Sequence, residues 1–477
     1  MKYYCFRWAL FFVLFTGVCT AAPICAQDQA GPKNLILFIA DGAGPASFTL
    51  AREFQRFALG ESSLAIDPYL IGTISTSPAI LRYPDSAAAA TAYACGIKTR
   101  APFVAVDTAG MPVGTLIEAA ESRGLWTGII STSAISDGTP AAFSAHSTDR
   151  YDYTNVAKQQ LHQGIELLLG GGRQYFEPVS VGGQRQDRVN QIEVARRLGY
   201  QFVSDRTELL SNLSLPLLGL FAPDHMAYEI DKADTNEPSF VEMATIAIGM
   251  LSRSESGFVL VLETEGPDDS GHSNDTAANV REILAYDAAV KVALDFARRD
   301  GETLVVALSD HDTGGLSLGS GSESWNPESL FRINSSVSAL ALILRNRIIE
   351  GEDAAQILRF TRDAIRRRFD IHNLSEEQVA IIEQAIKNAT RSDYVQGMLN
   401  PIIDLLKGEI SKRAGVKWSS TSHTVVDVNL YAFGPKSLEF RGHLDNAVVG
   451  RKLAEVMGLD LDNVTTRLRA RARESSK

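Results

Sequence analysis

The sequence predicts an α/β fold: a largely parallel sheet with helices on both faces, joined by a helical insertion. Three observations predict it. Short apolar runs ending in polar residues recur along the chain, in "NLILFIADGAG", "TGIISTSAISDGTP", "FVLVLETEGPDDSGH" and "TLVVALSDHDTGG". Helical patterns lie between these runs, and strand–helix alternation puts crossover helices on the faces of a parallel sheet. Between 326 and 414 strand patterning gives way to helical periodicity.

The elements follow in order. At the N-terminus, Lys2 and Arg7 precede an apolar run from Trp8 to Val18 and then small residues, the layout of a secretory signal peptide over 1–26 with Ala26 last before cleavage. As an uncleaved anchor the run falls short of the ~20 residues a membrane span needs. Three of the four cysteines, Cys5, Cys19 and Cys25, leave with it, so Cys95 has no internal disulfide partner and reads as a small buried hydrophobe. The first strand, "NLILFIA", ends at Asp41. "GTLIEAAESRG" is a helix closed by Gly124, and "TAANVREILAYDAAVKVALDFARRDG" is one closed by Gly301, with Val280, Ile283, Leu284, Val290 and Leu294 near a 3.6-residue period. In the insertion Ser375 and Gln378 form a capping box, and Pro401 suits the first turn of "NPIIDLLKGEISKRAG". The arginines of "RFTRDAIRRRF" read as a solvated helix face. "VNLYAFGP" is expected to be the last strand, "NAVVGRKLAEVMGL" the last helix, and "TTRLRARARESSK" a frayed tail. The α/β core is thus assigned to 33–325 and 415–465, and the helical insertion to 326–414.

The 477 residues carry a formal net charge of −11. That disfavours a nucleic-acid partner, which needs clustered Lys and Arg. It does not disfavour a small phosphate ester, which meets only the local field.

The chemistry gathers where strands end. "DSAAAAT" sets Ser86 at the foot of a small-residue helix. Asp and Ser are ordinary N-caps. A helix start is also a place where an anion meets positive partial charge and free N–H groups, and alanines let a backbone come close to a phosphate. Asp41, then Asp137 and Thr139, then Glu263, Asp268 and His272, then Asp310 and His311 each follow an apolar run. Sites in open α/β sheets form at the carboxyl ends of strands. Carboxylate and imidazole without cysteine suit Zn²⁺ through mixed donors and Mg²⁺ through oxygen.

The chain resembles the alkaline phosphatase family. The matches are "IADGAG", "DSAAAATAYACGIKT", "DGTPAAFSAHSTDR", "LLGGGRQYF", "ETEGPDDSGH", "SDHDTGG" and "SSTSHTVVDVNLYAFGP", in the family's order and over nearly all of the chain outside the insertion. The resemblance implies a three-layer α/β/α fold and phosphate-monoester hydrolysis through a phosphoserine on Ser86, with release of inorganic phosphate. It implies two zinc ions, one on Asp268, His272 and His423 and one on Asp41, Asp310, His311 and the Ser86 oxygen. It implies one magnesium on Asp41, Thr139 and Glu263, and Arg150 as the clamp on the phosphoryl oxygens. His146, His162, His225, His372 and His443 have no ligand-like neighbours in sequence and read as surface or core residues. Three features depart from the family: Tyr83-Pro84 before Asp85, Thr264 after the metal-binding glutamate, and Asp269 where relatives often have Lys, His or Trp. Asp269, with Asp137, bears on the third metal site and puts an extra negative charge beside the phosphate.

Two rival functions compete with this one. A phosphodiesterase or sulfatase of the same superfamily shares the scaffold; the sulfatase lacks its C/S-x-P-x-R context here, and the diesterase depends on what surrounds the leaving group. A non-catalytic metal- or phosphate-binding protein would have lost Ser86, Arg150 or a ligand, and all are present. The expected partners are small phosphomonoesters, with no membrane span in the mature chain and room for a homodimer, and the expected location is periplasmic or secreted.

Overall fold

The computed structural model describes residues 31–80, 83–211, 213–319 and 325–475. The expected signal peptide, with Cys5, Cys19 and Cys25, lies outside them. The strands in chain order are β1 (Asn34–Ala40), β2 (Leu70–Ser75), β3 (Trp126–Ala134), β4 (Leu167–Gly171), β5 (Gln201–Val203), β6 (Leu217–Leu220) and β7 (Phe258–Thr264). They continue with β8 (Thr303–Leu308), β9 (Asp312–Thr313), β10 (Leu316–Leu318), β11 (Val416–Trp418), β12 (His423–Thr424), β13 (Val428–Phe433) and β14 (Gly442–Asp445).

Among the described residues, ten strands form one sheet in the order β14-β2-β13-β8-β1-β7-β3-β4-β6-β5. Its pairings are parallel except those of β13 with β2 and β8. The four strands whose ends carry the candidate site, β8, β1, β7 and β3, are neighbours. Their register is level: Ile39 lies beside both Leu308 and Glu263, and Glu263 beside Ser131. Their continuous apolar runs suit strands covered on both faces. Leu35, Leu37 and Ile39 enter one core cluster, and Ile36, Phe38 and Ala40 the other. The first face is covered by the helices Ser86–Cys95, Leu116–Ser122, Gly138–Ser144 and Asn446–Met457, the second by Pro45–Phe54, Phe240–Leu251 and Thr276–Asp300. This is the expected three-layer α/β/α arrangement. Cys95 is buried and unpaired, as expected.

Four helices, Val337–Ile349, Ala354–Phe369, Glu376–Ala389 and Val395–Ala414, follow β10 and lead into β11. β10 and β11 pair antiparallel, Leu316 beside Trp418, so the chain leaves and returns through one two-stranded ribbon. The helices share a core of their own that also takes in Leu50 and Phe54 of helix Pro45–Phe54 and Val280 of helix Thr276–Asp300. Ser375 and Gln378 form the expected capping box. Arg366 and Arg367 are exposed, and among the described residues they pair with Asp363 on their own helix.

Three expectations are corrected. Pro401 lies inside helix Val395–Ala414 rather than opening it, because buried Leu399 extends the apolar face of Ile402, Leu406 and Ile410 upstream of the proline. The last strand is β14, an edge strand parallel to β2, whose four residues "GHLD" contain no apolar run to betray it. The tail is a helix, Leu461–Ser475. Val464 and Leu468, one turn apart, face the core beside helix Leu116–Ser122, Arg469 Nη2 lies 2.7 Å from Asp107 Oδ2, and the Gly114 N–H donates to Thr465 Oγ1. Two apolar anchors suffice where tertiary partners complete the face, although arginines dominate the composition.

Candidate active site

All ten candidate residues meet at the carboxyl ends of β8, β1, β7 and β3. Helix Ser86–Cys95 resolves the ambiguity of its "DS" start. Asp85 is the N-cap, its Oδ1 accepting from the Ala88 N–H at 3.2 Å. Ser86, at the first helical position, keeps its hydroxyl free of that duty, and its Oγ stands 3.2 Å from His311 Nε2. Every residue of the helix is buried. The alanines let helix Asn446–Met457 press against it, where a Cβ on Gly450 would lie 2.2 Å from the Ala92 carbonyl oxygen.

Around Ser86 two donor groups form. In the first, His311 Nε2 lies 3.2 Å from Asp310 Oδ2 and 3.7 Å from Asp41 Oδ1. Asp310 Oδ1 accepts from the backbone N–H groups of Gly42 and His311, which leaves Oδ2 facing the ring. Gly42 itself, at φ +70°, passes so close to Asp268 that a Cβ would meet its Cα at 2.5 Å. In the second group Asp268 Oδ2 lies 3.2 Å from His272 Nε2, which is 3.1 Å from His423 Nε2. The outer nitrogens are held by carbonyl oxygens, His272 Nδ1 by Thr421 at 2.7 Å and His423 Nδ1 by Pro84 at 3.0 Å, so both Nε2 atoms point inward. The antiparallel pair β9/β12, with His423 beside Thr313, carries His423 into place. Deeper in, the Thr139 hydroxyl donates to Asp41 Oδ2 at 3.2 Å, and Glu263 Oε2 accepts from Ser131 and Ser133.

These residues fit divalent cations. Asp41 Oδ1 and Asp310 Oδ2 are buried with no hydrogen-bond partner, beside a ring nitrogen and a hydroxyl. A buried carboxylate oxygen left so is costly unless a proton or cation reaches it. Burial, reinforced by neighbouring carboxylates, pushes Asp41 well up, Asp310 to about 8 and Glu263 to about 7. Burial would also raise Asp268, but His272, His311 and His423 together hold it below the usual range.

Arg150 lies across the mouth of this nest. Its Nη1 is 3.2 Å from Asp85 Oδ2 and its Nη2 3.1 Å from Asp137 Oδ1. The guanidinium rests on Gly138, where a Cβ would come within 2.5 Å of Cζ. Two carboxylates thus aim the planar fork, while Nε–H has no hydrogen-bond partner among the described residues.

The remaining histidines divide. His146 bonds the Ala105 carbonyl and Glu118, and His443 bonds Thr73. His372 is exposed and bonds Asp370 Oδ1 at 2.8 Å. His372→Ala should leave the metal content per chain unchanged by elemental analysis; loss of an ion would contradict this. His225 departs from expectation. Its ring stands between Asp137 and Asp269, with Nε2 3.8 Å from Asp137 Oδ2 and Nδ1 3.7 Å from Asp269 Oδ2. The extra charge of Asp269 therefore faces a histidine and is not bare. Glu265 also borders the nest, within 4.8 Å of ligand atoms of Asp41 and Glu263. Neither residue stands out in sequence: "APDHM" follows strand β6 as an ordinary turn, and Glu265 is overshadowed by Glu263 two residues before it.

Comparison with known proteins supplies further findings. The family described as alkaline phosphatase matches residues 32–459. The repressible alkaline phosphatase of Saccharomyces cerevisiae is 33% identical, over 92% of this chain and 83% of its own length. Alkaline phosphatase 3 of Bacillus subtilis is 33% identical, over 90% of both chains. The crystal structure of Thermus thermophilus alkaline phosphatase superposes with a TM-score of 0.79 at 28% identity, over 91% of this chain and 92% of that one.

Proposed function

Because the chain belongs to the alkaline phosphatase family and so hydrolyses phosphate monoesters, we propose that it does so through a phosphoserine on Ser86, with Arg150 clamping the phosphoryl group. The observation that carries this is Ser86 Oγ, buried at a helix start that another residue caps and 3.2 Å from His311 Nε2, the ring atom that also faces the unpartnered oxygens of Asp41 and Asp310. Asp268, His272 and His423 would hold one zinc ion. Asp41, Asp310, His311 and the Ser86 oxygen would hold the other, and Asp41, Thr139 and Glu263 a magnesium ion. When bound, such a metal pair lowers the pKa of a coordinated hydroxyl or water and holds the attacking and leaving oxygens of an in-line displacement.

The chain's own residues do the rest. Arg150 presents its guanidinium to two phosphoryl oxygens, and the first turn of helix Ser86–Cys95 offers backbone N–H groups to the same anion. Ser86 Oγ forms the new P–O bond as the bond to the leaving oxygen breaks. Water then attacks the phosphoserine, phosphate departs and the serine is restored. The division into a signal peptide at 1–26, a core at 33–325 and 415–465 and an insertion at 326–414 belongs to the same reading. So does export to the periplasm or exterior, which the basic and apolar N-terminal pattern supports; no helix among the described residues is long and apolar enough to cross a membrane.

The test is a side-by-side assay on p-nitrophenyl phosphate, bis(p-nitrophenyl) phosphate and p-nitrophenyl sulfate, with metal analysis of the same sample. The monoester should be turned over far faster than the other two, by protein containing zinc and magnesium. Faster turnover of the diester would overturn the assignment.

A further inference from the structure

Asp137, His225 and Glu265 bring one ring nitrogen and two carboxylate oxygens within 4.8 Å of one another. They come from three separate places: the turn before helix Gly138–Ser144, the loop after β6 and the turn after β7. None belongs to the ligand sets proposed above.

Glu265 is the most informative member. It is 8% exposed, and among the described residues no hydrogen bond or ion pair holds its carboxylate; only its backbone N–H is bonded to a side chain, donating to Thr132 Oγ1. Four like charges surround it, Glu263, Asp269, Asp137 and Asp268. A buried carboxylate in such company needs a cation. Arg150 offsets part of that charge, but its ion pairs are with Asp85 and Asp137 Oδ1 and none is made with Glu265. This leaves Asp137 Oδ2 facing His225.

The spacing points the same way. His225 Nε2 and Asp137 Oδ2 are 3.8 Å apart, too far for a hydrogen bond. Two atoms each about 2.1 Å from one ion lie about 3.0 to 4.2 Å apart, depending on the angle between them. On its other side His225 Nδ1 faces Asp269 Oδ2 at 3.7 Å, the arrangement in which an outer carboxylate orients a metal-binding ring. The imidazole is about a third exposed, which gives an ion a way in from solvent.

We propose that Asp137, His225 and Glu265 bind a divalent cation of their own, Zn²⁺ or Mn²⁺ by its mixed nitrogen and oxygen donors, with Asp269 orienting the ring. This ion is additional to the two zinc and one magnesium ions already assigned. It holds Asp137 in place, and through Asp137 the guanidinium of Arg150. Glu265, which also lies within 4.8 Å of ligand atoms of Asp41 and Glu263, links the new site to the deeper one. The inference stands beside the phosphoserine reading and does not require it.

The test is bound metal per chain, measured by elemental analysis of holoenzyme equilibrated with Zn²⁺, Mg²⁺ and Mn²⁺ and then freed of loose ions. Wild type, His225→Ala, His225→Gln and Glu265→Gln are compared, with circular dichroism as a check on folding. Both His225 variants should carry one transition ion fewer than wild type, and Glu265→Gln at least one fewer. Anomalous scattering from wild-type crystals at the zinc or manganese edge should place an ion against His225 Nε2. Equal metal content in wild type and both folded His225 variants would overturn the site, as would loss of every ion together, which would make His225 a support of the whole centre. The site is read from the metal count of the His225 variants and the phosphoserine reading from phosphate retained on Ser86, so failure of either leaves the other's readout unmoved.

Discussion

Ser86→Ala should cut turnover of a phosphate monoester by at least ~10³-fold, about 4 kcal/mol in the barrier. The basis is that Ser86 Oγ faces His311 Nε2, the ring atom beside the open oxygens of Asp41 and Asp310, while the nearby hydroxyls among the described residues are bonded to carboxylates. Thr139 is bonded to Asp41, Thr313 to Asp268, and Ser131 and Ser133 to Glu263. The substitution removes one oxygen from a helix that is otherwise alanine-rich and fully buried, so folding should survive. Steady-state rates on p-nitrophenyl phosphate, with a melting curve for each protein, make the comparison. Turnover within tenfold of wild type would remove Ser86 from the chemistry.

Removal of the divalent cations is expected to abolish turnover and to lower the melting temperature by roughly 10 °C, since each of three ions present at 1,000 times its Kd contributes about 4 kcal/mol against a melting entropy of about 1 kcal/mol/K for a chain of this size. The loss should grow with pH. Burial and mutual repulsion raise Asp310 to about 8 and Glu263 to about 7 in the folded chain without cations. A carboxyl whose folded pKa lies above its unfolded value binds more protons when folded, so its contribution is present at low pH and is lost as pH rises through the folded value. Metal-free protein should therefore lose stability between about pH 5 and pH 8.5, while metal-loaded protein, its carboxylates paired with cations, should hold steady. Calorimetry of both forms across that range makes the measurement. Coincident melting curves after complete metal removal would contradict the linkage.

The sequence carried much of this because the chemistry sits next to its own strand. Asp41, Glu263, Asp310 and His311 each lie at or just past the end of an apolar run, and the parallel sheet brings those ends level. His423 was harder to see: only "SHT" marks it, and a two-residue pairing with β9 brings it to His272. His225 was not legible at all. Its partners Asp137 and Asp269 lie in other segments, and an imidazole in a turn has no periodicity to reveal its role. Glu265 shows the same limit, because its significance lies in what fails to touch it, a property only coordinates display. The helix over Leu461–Ser475 was hidden for another reason. Composition there is set by solvent-facing arginines, while order comes from Val464, Leu468 and the Arg469–Asp107 pair.

The central claim, that the phosphoryl group passes through Ser86, is tested most directly by finding where it goes. Protein is incubated with a monoester or with inorganic phosphate, quenched in acid, digested and sequenced by tandem mass spectrometry. The account predicts a single phosphoryl group on the Ser86 hydroxyl of the peptide containing "DSAAAAT". Phosphate on any other residue, with Ser86 unmodified, would contradict it.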